Sequence, residues 1–190
     1  MAWLKEIRWH GRGGQGVVTA GKLLAESALE AGQYFQAFPD YGPERSGAPI
    51  RAFTRLSDGP ITLHNQIEEP DVVIVLDPTL LGNVPVTSGL KPDGVLLVNT
   101  SESPEAIRAR LKYAEGRVVT VDASRIAIDE LGKEITNTPM LGAFARATGL
   151  FAVAEIVAQT RQRFAKKFAP ELVEANVRAV ERAAKELREA

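Results

Sequence analysis

Cysteine is absent from the 190 residues, and that absence excludes several kinds of chemistry at once. The chain alone can form no disulfide, no thiolate nucleophile and no cysteine-ligated iron–sulfur cluster. Histidine is scarce: His10 and His64 are the only two, too few for a histidine-rich metal centre. A Ser–His–acid triad lacks any supporting signal such as a G-x-S-x-G elbow, so no catalytic residue is assigned. Neither sign of charge dominates. Lys plus Arg number 23 against 24 Asp plus Glu, a net charge of −1, which argues against non-specific binding to nucleic acid. No apolar run approaches the roughly 20 residues of a membrane helix. The opening MAWLKEIRWHG lacks a signal peptide's apolar stretch and reads as the approach to a first strand, so the expected location is cytoplasmic.

What is present is the composition of a soluble globular protein, 45% hydrophobic and 25% charged. The length suits one domain, taken as 1–190, with no linker, repeat or low-complexity tract. Lys5 to His10 read as a first strand. From Gly16 the period changes: Val17, Ala20, Leu24 and Ala28 share a helical face, with Leu23 and Ala31 beside it, and Gly32 stops the helix. The aromatic stretch 34–38 predicts a second strand ended by Pro39. Residues 39–50 hold three prolines and two glycines and read as a loop. RAFTRL and ITL flank SDGP, which predicts a hairpin turning at Asp58-Gly59, whose antiparallel pair would make the sheet mixed.

Three apolar runs then start at Val72, Val95 and Val118, each 23 residues after the last. Continuous runs of this kind suit strands covered on both faces of a parallel sheet. They end in Asp77, Asn99 and Asp122, at the carboxyl ends where open α/β sheets gather ligands, although capping is the plainer role for each. Ser103 and Pro104 predict a helix start before Ile107 and Leu111. The last third is helical: one helix capped by Thr138 and stopped by Gly149, then others near 150–165 and 170–188. The last bears an apolar stripe of Val173, Val177, Val180, Ala184 and Leu187, expected to pack on its own domain. The fold class is α/β: a three-layer, mostly parallel but mixed sheet, helices on both faces, Rossmann-like, with a helical carboxyl-terminal third.

Gly11-Arg12-Gly13-Gly14-Gln15-Gly16 satisfies G-x-G-x-x-G between a strand and a helix. A dinucleotide site would also place an acid at the end of the second strand, where Gln36 and Ala37 stand; Asp40 comes only after Pro39. A freestanding nicotinamide-binding oxidoreductase is therefore the alternative and not the first choice. Val17 and Val18 occupy the Lys and Ser/Thr positions of a P-loop, which removes NTP hydrolysis. A glycine loop at a helix N-terminus still offers N–H groups to an anion, and Arg12 adds a cation. Glycines that merely permit a tight crossing are the competing account.

The stretches RWHGRGGQGVVTAGKLLAESALEAG, QAFPDYGPERSGAPIRAFTR, DVVIVLDPTLL and ITNTPMLGAFARATG together resemble the gamma subunit of 2-oxoacid:ferredoxin oxidoreductases, the pyruvate synthase group in particular. The resemblance runs from about Ile7 to Phe168. It implies a complex that decarboxylates a 2-oxoacid on thiamine diphosphate with Mg²⁺. Electrons pass through iron–sulfur clusters to ferredoxin, and the acyl group goes to coenzyme A. Thiamine and clusters belong to the other chains, so the partners implied are alpha, beta and ferredoxin-like delta subunits. The gamma chain is expected to pack on the thiamine subunits and help shape the coenzyme A site. By the same resemblance, Gly11, Arg12, Gly13, Gly14, Gln15 and Gly16 form the first site loop. Glu44 and Arg45, with Gly42, Gly47, Ala48 and Pro49, form a second, and Asn137 and Thr138, with Leu141 to Phe144, a third. Arg12 and Arg45 are the cations expected to meet coenzyme A or acids of a partner; an internal Glu44–Arg45 ion pair is the equal alternative. Asp40-Tyr41 and Pro43 stand where bulkier apolar residues are expected. That leaves pyruvate, 2-oxoisovalerate and 2-oxoglutarate open as substrates of the complex.

Overall fold

The computed structural model describes residues 3–40 and 47–190. Strand β1 (Leu4–Arg12) is followed by α1 (Val17–Glu30), β2 (Tyr34–Pro39), β3 (Pro49–Ser57) and β4 (Val72–Val75). After a 3₁₀ turn at Pro78–Leu80 come β5 (Val95–Asn99), α2 (Pro104–Leu111), β6 (Arg117–Val121) and α3 (Ala123–Leu131). Helices α4 (Asn137–Thr148), α5 (Val153–Phe164) and α6 (Pro170–Lys185) and a short β7 (Arg188–Glu189) complete the chain. The strands form one sheet in the order β2-β3-β1-β4-β5-β6-β7. β1, β4, β5 and β6 pair in parallel, whereas β3 pairs antiparallel with both β1 and β2, and β7 pairs antiparallel with β6. Five of the seven strands therefore share one direction, the mostly parallel mixed α/β sheet expected.

The three apolar runs became β4, β5 and β6 because each buries both of its faces. Val72, Ile74, Val95, Leu97, Val119 and Val121 pack with α1, α3, α4 and α6, while Val73, Val75, Leu96, Val98 and Val118 meet Ile107 of α2 and Leu80, Leu81 and Val86. Trp9 of β1 is fully buried, tilted against Phe144 of α4 with ring centroids 6.4 Å apart. It donates its indole N–H to Thr54 Oγ1 at 3.0 Å, which satisfies the ring's one polar atom. The α6 stripe packs inward as expected, with Val173, Val177, Val180 and Ala184 buried. Gly142 lets α4 and α6 touch backbone to backbone: an ideal Cβ there would stand 2.1 Å from the Val180 carbonyl oxygen.

Three expectations need correction. The Asp58-Gly59 hairpin does not form, because β3 already has β2 on one edge and β1 on the other, so ITL finds no free edge. That segment is instead held by buried Arg55, which donates to the carbonyls of Leu63 and Asn65. Thr138 is not the cap of α4; Thr136 precedes the helix, and Asn137 Oδ1 accepts from the Thr138 N–H at 2.9 Å. The last helix ends at Lys185, after which Arg188–Glu189 join the sheet, and α3 is a helix the sequence reading did not identify.

Candidate functional site

β1 delivers its last residues to the carboxyl edge of the sheet, where the glycine loop turns into α1. Gly14 and Gly16 take φ values of 95° and 78°, the left-handed region that only glycine enters without strain. The N–H groups of Gly14 and Gly16 have no partner among the described residues. Open space surrounds Gly14, whereas an ideal Cβ on Gly16 would lie 3.3 Å from Asn137 Nδ2. The first and third predicted stretches thus meet here: Gly16 at the start of α1 and Asn137 at the start of α4 are neighbours. Thr138 is buried beside them.

The side chains of the loop face inward to a single carboxylate. Asp77, two residues beyond β4, accepts from Arg12 Nε at 3.1 Å and from Gln15 Nε2 at 2.7 Å through Oδ2. Its Oδ1 accepts from the Thr79 N–H at 2.8 Å and hydroxyl at 2.6 Å, which caps the 3₁₀ turn. Burial pushes the Asp77 carboxyl up, but hydrogen bonds from Thr79 and Gln15 and the charge of Arg12 outweigh it and hold it below the usual value. Arg12 also reaches Thr79 Oγ1 at 2.9 Å and the Gly47 carbonyl at 3.0 Å. With Gly13 N–H donating to the Ala48 carbonyl at 3.0 Å, these bonds tie the start of β3 to the glycine loop. Asp77 was legible only as a cap; its second role required β4 to lie beside β1. Glu44, Arg45 and Gly42 lie outside the described residues.

A buried cation and a buried imidazole stand behind this edge. Arg8 spans to the carbonyls of Val86 and Ser88 and donates Nε–H to His10 Nε2 at 3.1 Å. Burial, then the charges of Arg8 and Arg51, lower the His10 pKa to about 3, so the imidazole is neutral and serves as an acceptor. His64 is exposed on the 61–66 segment, far from being a triad partner of anything.

A dinucleotide site fails on topology. β3 is inserted between β1 and β2, so the second strand's end is two strand spacings, about 9.6 Å, from the glycine strand. The displaced acid Asp40 is bound to Arg51 at 2.6 Å and is not available to grip a ribose. Among the described residues no group of three or more His, Asp or Glu is arranged to hold a metal ion, and no helix is long and apolar enough to cross a membrane.

The parallel core, the inserted antiparallel strand and a glycine loop locked by a carboxylate define an α/β subunit-type fold whose site is built of backbone rather than of reactive side chains. Residues 6–186 match the pyruvate ferredoxin/flavodoxin oxidoreductase family, and the chain belongs to it. It is 48% identical over 183 residues to the pyruvate synthase subunit PorC of Thermotoga maritima, covering 96% of this chain and 94% of that protein. The crystal structure of the pyruvate oxidoreductase subunit PORC from the same organism superposes with a TM-score of 0.87 and 44% identity, covering 98% of both chains. The common gamma subunit of the pyruvate/ketoisovalerate oxidoreductases of Thermococcus kodakarensis is 50% identical over 94% of each chain. The fold recurs in the 2-oxoglutarate:ferredoxin oxidoreductase of Magnetococcus marinus, TM-score 0.74 at 19% identity, where it matches 96% of this chain but 30% of the longer one.

Proposed function

We infer that this chain is the gamma subunit of a 2-oxoacid:ferredoxin oxidoreductase complex and that it carries none of the electron-transferring groups. Identity near one half over almost the full length of gamma-type subunits is the observation that supports this best. The residues present do not fit the complex's other groups. Without cysteine there are no thiolates for an iron–sulfur cluster. No acidic cluster among the described residues suits a Mg²⁺–diphosphate. Thiamine diphosphate, Mg²⁺ and the clusters therefore belong to partner polypeptides of alpha, beta and delta type, with ferredoxin as the electron acceptor of the assembly in the cytoplasm.

The glycine edge is the part of this chain that helps shape the coenzyme A site. Gly11 to Gly16 supply a rigid turn whose Gly14 and Gly16 N–H groups suit an anionic oxygen. Asn137 extends the same surface with its Nδ2. Arg12, already paired with Asp77, is the fastener of the turn; Arg45, outside the described residues, is the second cation proposed to meet a phosphate or a partner's acid. Pyruvate is the substrate favoured for the whole complex by its likeness to pyruvate synthase subunits. The test is Arg45→Ala, with Arg12→Ala beside it, in the assembled complex. A tenfold or larger rise in the KM for coenzyme A on Arg45→Ala with assembly intact supports the assignment. An unchanged KM in both variants makes the chain a scaffold only.

A further inference from the structure

A cleft of about 410 Å³ opens on the helical face, bounded by α1, the 131–137 segment, the end of α5 and the start of α6. Three of the chain's exposed large apolar residues, Ile135 (47%), Phe168 (45%) and Leu172 (38%), converge on it, over a floor that includes buried Leu23. Isolated apolar residues on a surface mean little, but several converging on one concavity mark a site where something is covered.

Charge around the cleft is also uneven. Its lining holds Lys133, Arg163 and Lys167 but no Asp or Glu, whereas nearby Arg161 pairs with Glu174, Arg178 with Glu130, and Arg182 with Glu130 and Glu186. Arg163, at the cleft wall, is paired with Glu26. Lys133, from the 131–137 segment, and Lys167, just beyond α5, line the cleft and have no acidic partner among the described residues. An occupant that buries its apolar side chains against Phe168 and Leu172 would leave these two ammonium groups to be met by carboxylates.

We propose that this cleft, lined by Lys133 and Lys167 together with Ile135, Phe168 and Leu172, docks an acidic, apolar-anchored segment of another polypeptide of the complex. It rests on the assignment of the chain as one subunit among several. The surface is separate from the loop face of Gly14, yet Asn137 lines the cleft and also approaches Gly16. Docking here therefore reaches the turn through one side chain.

The experiment co-expresses the full chain with its partner polypeptides as unmodified protein, as the pair Lys133→Glu/Lys167→Glu, and as Phe168→Asp. All three positions are on the surface, and circular dichroism of each purified chain checks that it folds. The unmodified complex is also treated with a carbodiimide, which joins a lysine directly to a neighbouring carboxylate. The expected result is a tenfold or larger loss of co-purifying partners in both variants. A crosslink from Lys133 or Lys167 to an Asp or Glu of another polypeptide completes it. Full assembly of both variants, with both lysines reactive in the complex, overturns the docking site. If the isolated chain is a dimer that Phe168→Asp splits, the cleft belongs to a second copy instead. If the variants assemble fully but lose binding of decanoate, used as an amphipathic anion probe, the cleft is a small-molecule site and docking is again refuted. Failure of the unmodified chain to assemble at all would count against the subunit assignment itself, which keeps the two failures distinct.

Discussion

Gln15 Nε2 lies 2.7 Å from Asp77 Oδ2, and the same oxygen receives Arg12 Nε at 3.1 Å, so one carboxylate fixes both polar side chains of the glycine loop. The Gln15 side chain closes the turn from the other end as well, its Oε1 accepting from the Arg12 N–H at 2.7 Å. The loop is therefore held from inside, and its outer surface is left to backbone.

Removing that anchor should loosen the loop before it unfolds the protein. Asp77→Ala is expected to cost about 2 kcal/mol, since donors half-buried around it lose their acceptor. Hydrogen exchange at the amides of residues 13–16 should quicken tenfold or more, while β5 and β6 amides slow or quicken only with global stability. Equal quickening everywhere would mean that Asp77 is a cap and nothing else.

Acid should weaken the fold through His10. Its folded pKa of about 3 lies below the ordinary value of 6.5, so below pH 6.5 the unfolded chain takes up a proton that the folded chain refuses. Stability from this group is fully present above pH 6.5 and falls by about 1.4 kcal/mol per pH unit as pH drops towards 3. Urea unfolding at pH 7 and pH 5 should show this loss, and His10→Gln should flatten it by about 2 kcal/mol. An unchanged slope in the variant would place the acid sensitivity elsewhere.

Gly142→Ala should destabilise by about 2 kcal/mol, because the new methyl group meets the Val180 carbonyl and pushes α4 from α6. Thermal unfolding measures it. A neutral result would mean that the two helices separate without cost.

Arg55 is buried to 0% exposure and bonded to Glu6 at 2.8 Å, to Gln36 and to the 63–65 backbone. Arg55→Leu leaves Glu6 and these carbonyls without their donor and should cost about 3 kcal/mol or more. Proteolysis within residues 58–66 should accelerate in that variant, whereas cleavage elsewhere should follow global stability.

The parallel core was legible because its information is local: three runs of Val and Leu at a fixed interval must each be covered on both faces. Ser103 and Pro104 were legible for the same reason, and Ser103 Oγ does accept from the Ala106 N–H. The edge of the sheet was not. Whether Asp58-Gly59 makes a hairpin depends on whether β3 has a free edge, which no turn residue reports. Helix α3 escaped notice because only Ala123, Ile126 and Ala127 of its nine residues are buried, too short a stripe to show a period. At the site the glycines and Asn137 were visible as motif, but the pairing of Arg12 with Asp77 joins residues 65 positions apart. The cleft is assembled from four segments and left no mark in any one of them.

Reconstitution tests the central claim most directly: partner polypeptides are assayed for 2-oxoacid-dependent ferredoxin reduction with and without this chain, beside the chain alone. The account predicts no activity and no visible chromophore from the chain alone, and coenzyme A-dependent turnover only when it joins its partners. Turnover by the isolated chain, or micromolar binding of NAD to it, would contradict that prediction.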